Sequence, residues 1–228
     1  MKLKICGMKY NTQEVAALQP DYLGFIFYEK SPRNFNGEIP QLPEGIKKVG
    51  VFVDADIAFA KANIEKYQLD IIQLHGNESP EYIQELKTAC QSEFTEDSKS
   101  TLEIWKVFGI KDIFDFDRLI PYESLVDAFL FDTKGKAKGG NGYTFDWSVL
   151  KKYSTQTPFI LSGGIGLEEI DNIKEILGTH LPILALDINS KFEDTPGQKN
   201  IESLKQFING LDFNKVQDAS AKAEDSSN

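Results

Sequence analysis

Only two cysteines, Cys6 and Cys90, and two histidines, His75 and His180, occur in the 228 residues of the chain. Two cysteines cannot staple a disulfide scaffold, and a reducing compartment leaves both as thiols. No spacing puts the two histidines on one face beside a cysteine or carboxylate, so neither a histidine metal cluster nor a Ser-His-Asp arrangement is expected, and no metal with it. Long apolar runs are missing too, none approaching the roughly 18 residues of a spanning helix. The first residues, Met1-Lys2-Leu3-Lys4-Ile5-Cys6-Gly7, pass from lysines straight into a strand-like run without the apolar stretch of a signal peptide. A cytoplasmic protein that does not engage membranes is the expectation. Positive charge is scarce, 25 basic against 35 acidic side chains, giving a formal charge of -10 and a pI ≈ 4.8. That field repels phosphate backbones, and no basic patch offsets it, so nucleic acid is not an expected partner. Neither G-x-G-x-x-G nor G-x-x-x-x-G-K-[ST] occurs, which removes the dinucleotide and P-loop fingerprints.

What is present is a globular balance, 41% hydrophobic and 26% charged, in a length suited to one core. Short β-branched and aromatic runs recur at Leu3 to Cys6, Tyr22 to Phe27, Lys48 to Val53, Ile71 to Leu74, Ile104 to Phe108, Ala128 to Asp132, Phe159 to Ser162 and Ile183 to Asp187. Several are apolar throughout, as strands covered on both faces of a parallel sheet must be. Amphipathic stretches lie between them, at Ala55 to Tyr67, Ser79 to Ala89, Leu167 to Leu177 and Asn200 to Leu211. Eight such βα units predict a single-domain (βα)8 TIM barrel over residues 1–212. Thr88 to Thr101 reads as a polar, acidic surface extension, and residues 213–228 as an acidic polar tail too poor in apolar side chains to order.

In such a barrel the working residues stand where each apolar run stops. Glycines cluster after the last strands, in Gly139-Gly140-Asn141-Gly142 and Gly163-Gly164-Ile165-Gly166, with Asn189-Ser190 after the eighth. Glycine lets backbone amides converge on an anion, and the loops after strands seven and eight are the usual barrel phosphate site. Gly140, Asn141, Gly163, Gly164, Asn189 and Ser190 are therefore candidate phosphate contacts. Cys6 ends the first strand beside a glycine, although a lone strand cysteine is more often a small buried hydrophobe. Asp132 ends the otherwise apolar Ala128-Phe129-Leu130-Phe131-Asp132, where desolvation favours the neutral form a general acid needs. Asp187 ends the eighth strand in the same way, and position alone does not choose between them. His75, also at a strand end, could contact substrate but reads first as a hydrogen-bonded structural residue.

Taken together, Lys4-Ile5-Cys6-Gly7-Met8, Leu23-Gly24-Phe25-Ile26-Phe27 with Ser31-Pro32-Arg33, Gln73-Leu74-His75-Gly76-Asn77-Glu78, Phe131-Asp132-Thr133, Gly139-Gly140-Asn141-Gly142, Ser162-Gly163-Gly164-Ile165, Asp187-Ile188-Asn189-Ser190 and Pro196-Gly197-Gln198-Lys199 resemble the phosphoribosylanthranilate isomerase family. The resemblance spans about residues 2 to 210. It implies a ribulose-phosphate-binding barrel that isomerises N-(5-phosphoribosyl)anthranilate in tryptophan biosynthesis, without cofactor or metal, as a monomer or weak homodimer. The family's general base falls on Cys6, its general acid on Asp132, and the arginine that holds the anthranilate carboxylate on Arg33. Asn141 stands where the family usually has threonine, and Asn189-Ser190-Lys191-Phe192-Glu193 replaces a commoner S-S-G-V-E. Indole-3-glycerol-phosphate synthase would need lysine and glutamate at several strand ends, where this chain has cysteine and aspartate. An inert sugar-phosphate-binding barrel would have no use for Cys6, Asp132 and Arg33 together.

Overall fold

The computed structural model describes residues 1–91, 102–111, 113–133 and 144–211. Eight parallel strands follow one another around a closed barrel in chain order. They are β1 (Lys2–Cys6), β2 (Tyr22–Phe27), β3 (Lys47–Phe52), β4 (Ile71–Leu74), β5 (Glu103–Ile110), β6 (Ala128–Thr133), β7 (Phe159–Leu161) and β8 (Ile183–Ile188). The ring shuts where β8 pairs with β1, Lys4 standing opposite Asp187. All eight expected strands are present, with β5 running to Ile110 beyond the expected Phe108.

Alternation along each strand builds two cores rather than one. Tyr22, Val49, Ile71, Trp105, Val107, Ala128, Leu130, Ile160 and Ala185 fill the barrel interior. Residues of opposite parity, such as Leu23, Phe25, Ile72, Leu74, Ile104, Phe129, Phe131 and Leu186, pack outward in a larger cluster with helical residues including Ile64, Ile83, Leu86, Ile173, Leu204 and Phe207. This double coverage is why the strands read as unbroken apolar runs.

The outer ring departs from eight regular helices. It holds α1 (Thr12–Ala16), α2 (Ile57–Tyr67), α3 (Pro80–Gln91), α4 (Ile170–Leu177) and α5 (Ile201–Gly210). Helix α2 starts at Ile57 instead of the expected Ala55, because the Asp56 carboxylate accepts from the Phe59 amide at 2.7 Å and caps it. Pro80 opens α3, where its missing N–H is no loss. That helix carries Thr88 to Gln91, which correct the reading of the acidic extension as loop from Thr88; its remainder, 92–101, and the tail lie outside the described residues. No helix forms between β2 and β3, a segment broken by Pro32, Pro40 and Pro43. Single 3-10 segments, Phe116–Tyr122 and Trp147–Lys152, stand where helices would follow β5 and β6. Beyond β8 a small hairpin of β9 (Glu193–Thr195) and β10 (Gln198–Lys199) folds back toward the barrel mouth. Among the described residues no helix is long and apolar enough to cross a membrane.

Candidate active site

A cavity of about 340 Å³ opens at the carboxyl ends of the strands. Seven residues nominated from the sequence line it: Cys6 from β1, Arg33 after β2, Asp132 from β6, Gly163 and Gly164 after β7, and Asn189 and Ser190 after β8. Gly140 and Asn141 lie outside the described residues. Tyr28, Lys30, Gln73, His75, Ser162, Asp187 and Lys191 line the same space.

Side-chain partners separate the two strand-end aspartates that position left equivalent. Asp187 is the counter-ion of a fully buried lysine: its Oδ1 accepts from Lys4 Nζ at 2.8 Å and its Oδ2 from Ser162 Oγ at 3.3 Å. Protonating it would strand an ammonium in the barrel interior. Among the described residues Asp132 has no such lysine or arginine partner. Its Oδ1 accepts from the Thr133 amide at 2.8 Å, and its Oδ2 lies 3.3 Å from His75 Nε2. Gln73 Nε2 stands 3.4 Å from His75 Nδ1. Gln73 and Asp132 thus meet the imidazole at its two nitrogens and fix the ring plane between them. His75 is thus both a hydrogen-bonded residue and a wall of the cavity. Gln73 Oε1, buried in that wall, has no hydrogen-bond partner among the described residues, leaving an acceptor for a bound hydroxyl.

Cys6 is buried against Lys4, and burial pushes its thiol up; Lys4 and Lys199 pull it down while Asp187 pushes it further up. Desolvation in this position favours the thiol over the thiolate.

At the opposite wall Arg33 is not a free guanidinium. Its Nε and Nη2 grip the Glu193 carboxylate, with distances of 3.0, 2.9 and 2.6 Å. Lys199 Nζ reaches Glu193 Oε1 at 2.8 Å and Asn189 Oδ1 at 2.8 Å. Two cations share one carboxylate, so the cluster keeps one unit of positive charge while Lys199 is protonated. Burial lowers Lys199 to about 8, against the pull of Glu193. Glu193, opposed by its own burial, is nonetheless held below the usual carboxylate range by Arg33 and Lys199. Glu193 and Lys199 were not legible as site residues, because they come from the β9–β10 hairpin that only folding brings to the mouth. Lys4 was: two residues before Cys6 on one strand, it shares the interior face.

The loop that carries His75 is fixed by a further buried ion pair. Glu78 accepts from the Asp54 and Gly76 amides at 2.9 Å, and Lys106 Nζ lies 3.1 Å from Glu78 Oε2. Both side chains are almost fully buried. Lys106→Met strands the carboxylate and is expected to cost about 3–5 kcal/mol in urea unfolding, whereas a loss under 1 kcal/mol would show the pair to be dispensable.

Comparison with known proteins agrees with this geometry. Residues 3–210 match the family model described as N-(5'phosphoribosyl)anthranilate (PRA) isomerase. An N-(5'-phosphoribosyl)anthranilate isomerase from Parabacteroides distasonis is 42% identical over 217 residues, covering 91% of this chain and 92% of its own. The crystal structure of phosphoribosyl anthranilate isomerase from Thermotoga maritima superimposes with a TM-score of 0.74 at 28% identity, covering 93% of this chain and 98% of that one. A phosphoribosyl anthranilate isomerase in complex with reduced 1-(o-carboxyphenylamino)-1-deoxyribulose 5-phosphate gives 0.70 at 26% identity, with coverage of 93% and 98%. Matched by the family model over nearly its whole described length and 42% identical to one of its members, this chain belongs to the N-(5'-phosphoribosyl)anthranilate isomerase family.

Proposed function

We propose that this chain performs its family's reaction, the Amadori-type isomerisation of N-(5'-phosphoribosyl)anthranilate to 1-(2-carboxyphenylamino)-1-deoxyribulose 5-phosphate in tryptophan biosynthesis, with Asp132 as general acid and Cys6 as general base. The observation that carries the assignment is the split between the aspartates, Asp187 tied to Lys4 and Asp132 open to the cavity beside His75. Asp132 gives its proton to the ring oxygen as the C1'–O bond breaks and the anilino nitrogen's lone pair forms the iminium. The Cys6 thiolate then takes the proton from C2', and those electrons close a C1'=C2' enolamine and neutralise the nitrogen. Tautomerisation moves the enol proton to the Asp132 carboxylate and a proton from Cys6 to C1', so both groups end as they began.

The substrate's two anionic ends match the two ends of the cavity. Gly163 and Gly164, both in the left-handed region at φ 90° and 69°, turn the loop after β7 into a cradle for phosphate, with Ser190 and Asn189 beside it. Gly140 and Asn141 are proposed to complete that cradle. Arg33, with its net-positive cluster, holds the anthranilate carboxylate. Fixing both ends leaves the ribose between acid and base. No step calls for a metal or a redox cofactor.

The direct test is loss of substrate fluorescence with purified protein in excess chelator; a requirement for a divalent ion or nicotinamide would overturn the mechanism. Arg33→Met is expected to raise KM on the order of tenfold or more with a smaller change in kcat, because its contact is made in ground and transition states alike. The cluster adds a pH dependence. Lys199 loses its proton as pH rises through about 8, taking the net positive charge with it. KM should therefore climb between pH 7 and 9 in the wild type, and be high but flat in Lys199→Met. Equal pH dependence in both proteins would remove Lys199 from that role.

The phosphoribosyl substrate is the partner this site calls for, and the proposed setting is a cytoplasmic monomer or weak homodimer. The Thermotoga maritima relative is dimeric, and monomers of it have also been crystallised. Sedimentation of this chain over a range of concentrations decides between the two states.

A further inference from the structure

Lys4 takes no part in the acid–base exchange described above, yet it occupies the most expensive position a lysine can have, fully buried inside the barrel one layer beneath Cys6. Its packing is specific. Gly24 on β2 pairs with Cys6, and a Cβ built there would stand 2.8 Å from the Cys6 sulfur and 3.2 Å from Lys4 Nζ. The absent side chain is what lets the ammonium and the sulfur share one small space. On its far side the ammonium is held by Asp187 at 2.8 Å, and Asp187 is in turn steadied by Ser162. A purely structural lysine would be satisfied by that carboxylate alone. This one also faces Cys6, the one sulfur among the described residues that line the cavity.

We propose that Lys4 is the positioning residue that sets the proton affinity of Cys6, its ammonium stabilising the thiolate across the gap left by Gly24 while Asp187 limits how far that stabilisation goes. The proposal rests on Cys6 as the base and deepens that reading. Lys4 keeps its proton throughout: burial opposes its charge, but Asp187 and Cys6 together hold it above the usual lysine value. It therefore acts as a fixed positive charge and not as a second proton carrier. The groups that bear on the sulfur come from three elements: Lys4 on β1 lowers its affinity for a proton, Asp187 on β8 raises it, and Lys199 on β10 lowers it. Asp132 and His75 face the same cavity from β6 and the end of β4, and Arg33 from the loop after β2. Substituting Lys4 and Asp187 must then move Cys6 in opposite directions, which a loss of packing would not do.

The experiment reads the thiol itself. In a Cys90→Ala background, so that Cys6 is the single sulfhydryl, the rate of iodoacetamide alkylation is measured against pH in the absence of substrate. Lys4→Met is expected to slow alkylation at pH 7.5 on the order of tenfold and push the profile upward, and Lys4→Arg to restore most of it. Asp187→Asn is expected to speed alkylation and push the profile downward. Shifts of the same sign in Lys4→Met and Asp187→Asn, or no shift in either, overturn the proposal. If Lys4→Met does not fold, Lys4→Gln is read in its place: an upward profile supports the role of Lys4, and an unchanged or downward one removes it. Because alkylation needs no turnover, a failed isomerase assay with these opposite shifts would refute the base assignment and leave the Lys4 effect standing. Normal turnover with no shifts would do the reverse.

Discussion

Cys6→Ser and Asp132→Asn each lower kcat on the order of a hundredfold or more while the protein unfolds in urea much as the wild type does, the scale expected for a lost general base or acid. The two losses differ in origin. Serine keeps the volume of Cys6 within its buried strand position but raises the proton affinity of the atom that must strip C2', so the residual rate should climb with pH. Asparagine keeps the shape of Asp132 and its acceptor for the Thr133 amide, but has no proton for the ring oxygen. In the wild type, burial pushes the Cys6 thiol up, so kcat is expected to rise as pH is raised above neutrality and the thiolate population grows, even as KM climbs with the loss of the Lys199 charge. A Cys6→Ser enzyme with near wild-type turnover would return Cys6 to the part of a small buried hydrophobe. An Asp187→Asn enzyme as dead as Asp132→Asn, with its fold intact, would reopen the choice of acid.

Gly163→Ala should do comparable damage from a residue without a side chain. Its φ of 90° is one that alanine adopts only under strain, which costs about 1–3 kcal/mol by itself. The added methyl would overlap the amide and hydroxyl of Thr133 and stand 2.8 Å from Asp132 Oδ1. The loop after β7 and the end of β6 must then part, moving the acid and the phosphate cradle together. Misplacement by about 1 Å is enough to cost on the order of a hundredfold in rate. Both a reduced urea midpoint and a loss of turnover of that order are expected. Activity within a few fold of wild type would show that Gly163 neither supports Asp132 nor shapes the phosphate end.

Much of this was legible in the sequence because barrels are periodic. Eight apolar runs at βα spacing fix the number and direction of strands, and the residue at which each run stops is by construction near the mouth. Cys6, Asp132, Gly163 and Asn189 could therefore be placed without coordinates, and Lys4 was within reach by strand parity. What sequence could not show is anything that depends on neighbours brought together around the ring. Lys4 and Asp187 are 183 residues apart, and only closure of β1 on β8 makes them a pair, thereby separating Asp187 from Asp132. Arg33 and Glu193 are 160 residues apart, and only the β9–β10 hairpin, folded back over the mouth, turns an expected bare guanidinium into a cluster shared with Lys199. The protonation of Cys6 belongs to the same class. The residue type and its strand were set locally, but burial beside one lysine and one aspartate is a property of the closed interior, where charge costs most and each partner counts.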